Sequence, residues 1–269
     1  MHSHSATRPL RGARLLYLGH RARASAPATP RPLTLSAGAA YNHTISRGPG
    51  RTDFALARRN MVEGQLRPNR VTNGALLEAI SALPREQFLP EATRAVAYAD
   101  DDVPLGNGRF LMEPMVLARL LQALQPRETD RALVVASGRG YGAAVLSRLV
   151  NSVVAVESDA ALAAAAEQTL KALGIANVKQ KVGPMEQGAL DGAPYDVILI
   201  EGSVRQVPQA VVEQLVHGGR MATIVAGPPG ALGVAQLFLK EPGSASGRPL
   251  FDAGTPVLPG FAPPARFTF

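Results

Sequence analysis

Gly138, Gly140 and Glu157 are the residues whose types and spacing point most directly to chemistry. They lie in ALVVASGRGYGAAVLSRLVNSVVAVE, residues 132–157, which reads as strand, glycine turn, helix and a second strand closed by an acid. Glycines at such a turn let the backbone approach a ligand in dihedrals that a Cβ forbids, and an acid ending the second strand can hold two ribose hydroxyls. The pattern implies a nucleotide-bearing cofactor. Gly138-x-Gly140-x-x-Ala143 also satisfies the dinucleotide fingerprint, so three readings stay open at this point: a nicotinamide dinucleotide, S-adenosylmethionine, or a tight turn that binds nothing. Hydride transfer further wants a general acid, yet beyond residue 52 there is one histidine, His217, and no Tyr-x-x-x-Lys. Methyl transfer therefore ranks first.

The elements needed to position these residues can be read from hydrophobic periodicity. Asp53 can cap a helix over FALARRNMVEGQL (54–66), GALLEAISAL (74–83) forms a second helix stopped by Pro84, and Glu113-Pro114 opens a third over MVLARLLQALQ (115–125). REQFLP and YADDDVPLGNG read as a connection ending in turn residues. Nearly continuous apolar strands follow at 132–136, 153–157, 177–182, 195–201 and 219–225, separated by helical stretches at 140–149, 160–173 and 207–216. This alternation predicts an α/β, Rossmann-like doubly wound, mostly parallel sheet with helices on both faces. The runs GVAQLFLK, RPLFDA and ARFTF, with Gly and Pro turns and no helix between them, predict C-terminal antiparallel strands. The chain thus divides into a tail (1–52), an N-terminal helical extension on the substrate side (53–130), a cofactor-binding core (131–227) and a strand extension of the same domain (228–269).

Composition excludes several function classes. The net charge of +7 is concentrated in residues 1–52, which hold eight of the 28 basic residues and no acid, leaving 20 bases against 21 acids. A near-neutral folded part gives no nucleic-acid footprint. Without cysteine there are no disulfides, thiol nucleophiles or thiolate metal sites. His217 alone supplies neither a Ser-His-Asp triad nor a two-histidine metal site, and its place near a helix C-terminus suits dipole complementation. The tail mixes Arg, Ser, Ala, Pro and Gly without periodicity and reads as disordered; an upstream start or an organelle transit peptide would both produce it. With no apolar run of transmembrane length, the expectation is a cytoplasmic protein away from membranes.

A series of segments in order, MVEGQL (61–66), ISALPREQFLP (80–90), AYADDDVPLGNGRF (97–110), ALVVASGRGYGAAVL (132–146), YDVILI (195–200) and VPQAVVEQLVHGGRMATIV (207–225), resembles the protein-L-isoaspartate O-methyltransferase family over about residues 54–226. The resemblance is to divergent bacterial members whose C-terminus, like SGRPLFDAGTPVLPGF here, differs from the standard enzyme. It implies a class I methyltransferase that esterifies a carboxylate, with S-adenosyl-L-methionine as cofactor and an isoaspartyl residue, or another acidic group, of a protein or peptide as acceptor. By that resemblance Ala136, Ser137, Gly138, Gly140, Glu157, Ser158, Gly183 and Glu201 contact the cofactor, and no metal is involved. An ionised carboxylate needs no general base, so the scarcity of histidine is no obstacle.

Several family positions are changed. The loop acid and first glycine become Val134 and Ala136, and Ala136 fits if its φ is negative. The Gly-Asp beside the adenine becomes Gly183-Pro184, and the serine of the acceptor side becomes Met112. No catalytic residue is therefore assigned; Arg109 and Glu113 are candidates, and Arg109 or Arg205 could pair a substrate acid, although both cations are expected to be exposed. Glu113 is expected to cap the helix that follows, and Glu201 to face the cleft. A second function class stays open: a binding or structural protein that kept the fold and lost the chemistry.

Overall fold

The computed structural model describes residues 53–261; the expected disordered tail and the strand over ARFTF lie outside the described residues. Helix α1 (Phe54–Met61) starts where Asp53 accepts from Leu56 N at 3.0 Å and runs on into a π turn at Val62–Leu66. Asn73 caps α2 (Gly74–Ala82) in the same way at 2.9 Å. The Gln122 side chain, on α3 (Pro114–Leu124), fixes the α1–α2 connection by accepting from Thr72 N and Asn73 N and donating to Arg70 O.

Between α2 and α3 lies an element that the periodicity does not reveal. Strands β1 (Val103–Gly106) and β2 (Arg109–Leu111) form an antiparallel hairpin around Gly106-Asn107-Gly108, all three at positive φ. Strands this short carry too little alternation to be recognised.

The remaining elements are β3 (Arg131–Val135), α4 (Tyr141–Leu146), β4 (Ser152–Glu157), α5 (Ala160–Ala172), β5 (Val178–Val182), β6 (Tyr195–Val204), α6 (Gln209–Val212), β7 (Leu215–Val225), β8 (Gly233–Glu241) and β9 (Ser244–Ala253). They build one seven-stranded sheet in the order β5-β4-β3-β6-β7-β8-β9, parallel through β7 and antiparallel at β8 and β9. The Rossmann-like α/β sheet and its antiparallel extension are as expected. The helix expected at 207–216 is shorter, because Leu215 pairs with Tyr195 and so belongs to the sheet.

Strand order reverses between β3 and β6, and ligands of open α/β sheets sit beyond the carboxyl ends of strands at such a switch point. One apolar cluster joins one face of the sheet to α1–α4; the other covers the opposite face with Tyr195, Val211, Leu215, Leu258 and Phe261. After β9 the chain returns as a strap: Val257 bridges Ser203, Leu258 N donates to Ser203 O at 2.8 Å, and Leu258 and Phe261 are buried. Among the described residues no helix is long and apolar enough to cross a membrane.

Candidate cofactor and acceptor site

The loop after β3 turns sharply at the switch point. Ala136, Gly138 and Gly140 all have positive φ, at 63°, 53° and 89°. The condition under which alanine would fit, a negative φ, is not met at Ala136: the chain leaves β3 through a left-handed turn, at a cost of roughly 1–2 kcal/mol for a residue with a Cβ. Gly138 and Gly140 also lack room, since a Cβ would come 3.0 Å from Leu105 Cδ1 and 3.1 Å from Ala166 Cβ respectively. Leu105 belongs to β1, so the hairpin lies against this loop. Val134 is buried within β3.

Glu157, fully buried at the end of β4, is held on one oxygen by Ser158 N at 2.9 Å, Asp159 N at 3.1 Å and, more loosely, the Ser158 hydroxyl at 3.4 Å, all donating to Oε1. Its Oε2 accepts from Gly138 N at 2.8 Å and from Arg109 Nη2 at 2.7 Å. Ser158 itself is exposed, and Gly183 joins the same corner by donating to Glu157 O at 3.1 Å. Ser137 is buried and hydrogen-bonded to Gln180.

Arg109 was expected on the surface; it is 3% exposed. Its Nη2 donates to Ala136 O at 2.6 Å as well as to Glu157, and its Nη1 reaches Met185 Sδ at 3.6 Å. One guanidinium therefore touches the glycine loop, the strand-end acid and the segment after Gly183-Pro184. Next to it, Asn107 donates to Asp159 Oδ2 at 2.7 Å and tethers the hairpin tip to the start of α5. Arg205, by contrast, is exposed and lines a depression with Glu186, Gln206 and Phe261.

Glu201 does not face an open cleft. It is buried under the start of α4, where Gly142 has no room for a Cβ: one would stand 2.5 Å from Oε2. Burial raises its pKa to about 8, against the opposing pull of Arg109, Arg85 and the Gly142 N–H. At neutral pH this carboxyl is mostly uncharged. Its Oε2 has no hydrogen-bond partner.

Beneath the loop, Arg85 is fully buried with its guanidinium 4.8 Å from the Tyr141 ring centre, donating to Ala97 O and Met112 O at 2.6 Å each. Sequence reasoning missed Arg85 because nothing local in LPREQF separates a buried arginine from an exposed one. Met112 is 1% exposed within the apolar core, so the position of the family serine does not open on the site. Glu113 occupies the N-cap position of α3 without a side-chain capping bond; its N–H instead donates to Asp102 Oδ1 at 2.7 Å. The expected cap is thus a backbone contact, and burial together with Asp100, Asp102 and Asp101 raises the pKa of Glu113. His217 is exposed on β7. Among the described residues no cluster of His, Cys, Asp or Glu could hold a metal ion.

The strap packs against two glycines. A Cβ on Gly202 would lie 2.5 Å from Leu258, and one on Gly108 would lie 2.9 Å from Pro259 Cγ. The C-terminal segment therefore touches both the end of β6 and the hairpin.

Protein-L-isoaspartate(D-aspartate) O-methyltransferase is the family that matches this chain, over residues 57–246. The chain belongs to that family. It is 38% identical over 184 residues to the protein-L-isoaspartate O-methyltransferase of Koribacter versatilis (strain Ellin345), covering 68% of this chain and 83% of the relative. A solved protein-L-isoaspartate O-methyltransferase is similar at TM-score 0.68 and 25% identity, covering 76% of this chain and 67% of the other. A Plasmodium falciparum structure described as a putative protein-L-isoaspartate O-methyltransferase, in complex with S-adenosyl-L-homocysteine, shares the fold at TM-score 0.62 and 19% identity, covering 76% and 98%. Members of the protein-L-isoaspartate O-methyltransferase family are enzymes that use S-adenosylmethionine. Family membership removes the dinucleotide alternative and gives no support to a purely structural role.

Proposed function

We propose that this chain transfers a methyl group from S-adenosylmethionine to a carboxylate, that of an isoaspartyl residue in a protein or peptide. The observation that carries this reading is the family match across 57–246 together with Glu157 at the end of β4, presented by three backbone N–H groups beside a positive-φ loop. The residues fit the cofactor on its ribose side. Glu157 would accept from the ribose hydroxyls, the backbone of 136–140 would lie along the cofactor, and the Gly183–Met185 segment would flank the base. What competes for Glu157 is a side chain, Arg109, which can move without rebuilding the loop.

S-adenosylmethionine, when bound, supplies an electrophilic methyl on a sulfonium sulfur, so the protein has to align the partners and exclude water. An acceptor carboxylate is ionised at neutral pH and needs no base. Glu201, mostly protonated there, places no full negative charge against it. The hairpin packs on the glycine loop through Leu105, and the strap on the end of β6 through Leu258, so both could limit water at the site once the cofactor is bound. The test is calorimetry with S-adenosyl-L-homocysteine, followed by transfer of labelled methyl from S-adenosylmethionine to an isoaspartyl peptide and to its aspartyl isomer. Saturable binding and base-labile label on the isoaspartyl peptide alone are expected. Absence of heat at millimolar ligand would overturn the cofactor assignment, and equal labelling of both peptides would overturn the acceptor.

A further inference from the structure

Arg109 raises a question of charge. It is buried, it forms the one ion pair to Glu157 among the described residues, and the same guanidinium crosses the three segments to which the cofactor is assigned. Glu157 already accepts from Ser158 N, Asp159 N, Gly138 N and Arg109, with the Ser158 hydroxyl more distant at 3.4 Å on Oε1. On Oε2 only Arg109 can leave without unwinding backbone, the other donor there being Gly138 N. A ribose can therefore reach Glu157 Oε2 only by taking Arg109's place. Ribose hydroxyls are neutral, however, so the exchange strips a buried guanidinium of its counter-charge, and an uncompensated buried charge is strongly unfavourable.

The reaction itself brings an anion to this end of the sheet. Resting on the carboxylate-methyltransferase reading, we propose that Arg109 is a resident occupant of the ribose subsite that cofactor binding displaces, and that the freed guanidinium then binds the acceptor carboxylate. Its planar fork suits a carboxylate in two-point contact. Arg109 lies on a three-residue strand beside Gly106-Asn107-Gly108, so its side chain can be re-aimed while Asn107 holds the hairpin to Asp159. Nε has no partner in the present arrangement, which leaves one donor of the fork unused. The acceptor subsite is then complete only after the cofactor is in place, and binding is ordered, cofactor first.

The test compares the wild-type full chain with Arg109→Gln and Arg109→Lys. Calorimetry with S-adenosyl-L-homocysteine reads the occupant role, and initial rates with an isoaspartyl peptide read the acceptor role. Arg109→Gln should bind S-adenosyl-L-homocysteine at least about tenfold more tightly, because the internal competitor is gone. It should raise the peptide KM by about tenfold or more while changing kcat less, and Arg109→Lys, which keeps the cation, should recover part of that KM. Thermal melts with and without ligand report folding; should Arg109→Gln not fold, Arg109→Met, which also removes the cation, carries both readings. Equal or weaker binding by the variant without the cation overturns the occupant role, and would mean that Arg109 holds the cofactor, for instance through its own carboxylate. Tighter binding with an unchanged peptide KM overturns the acceptor role. Binding by neither wild type nor variants overturns the functional reading itself, and this inference with it.

Discussion

Glu201→Gln should stabilise the protein, and by an amount that depends on pH. In the folded chain Glu201 keeps its proton up to about pH 8, whereas an unfolded glutamate releases it near its ordinary value of 4.5. Between those limits unfolding releases a proton, so raising the pH favours the unfolded chain, and the loss is complete above the folded value. At 1.36 kcal/mol per pH unit, the effect is about 1 kcal/mol at pH 5 and about 3 kcal/mol at pH 7. Glutamine keeps an acceptor for the Gly142 N–H and a donor in place of the acid proton, but does not ionise. The stability difference between variant and wild type should therefore grow by about 2 kcal/mol from pH 5 to pH 7. Urea titrations of both full-length proteins, followed by circular dichroism at the two pH values, measure it, and other titrating groups cancel in the difference. A difference that stays the same at both pH values would refute the claim that burial keeps this carboxyl neutral.

Glu157→Ala should lower the unfolding free energy by about 3–5 kcal/mol, since it strands the buried Arg109. It should also abolish the calorimetric signal of S-adenosyl-L-homocysteine, and a folded variant that still binds with wild-type affinity would remove Glu157 from the ribose site. Met112→Ser restores a residue type without restoring a site, because the side chain is packed in the core. About 2–4 kcal/mol of stability should be lost in urea titration with no rise in turnover on isoaspartyl peptide, and a clear rise would contradict the buried placement. Gly202→Ala should push Leu258 off β6, costing about 1–3 kcal/mol and exposing the bond after Pro256 to limited proteolysis; unchanged protection would show that the strap is held elsewhere.

What could be read from the sequence was what repeats locally. Apolar runs, helical spacing and the Gly138-Gly140-Glu157 pattern placed the βαβ unit and the antiparallel extension because each is encoded within a few tens of residues. Other features depended on partners distant in the chain. Arg109 reads as an exposed cation until β4 brings Glu157 to it, and Glu201 reads as cleft-facing until α4 settles over it. The same holds for Ala136, whose positive φ follows from the direction in which α4 must start rather than from anything alanine prefers. The β1–β2 hairpin was invisible because three or four residues cannot display a period.

The strap and the family match do not overlap. The match ends at residue 246, while the segment that closes over β6 and touches the hairpin lies at 255–261. The Gly138-Gly140-Glu157 corner and the segment that packs on β6 and the hairpin therefore lie in separate stretches of polypeptide. Changes after residue 246 can therefore alter how β6 and the hairpin are packed while leaving every residue of that corner in place.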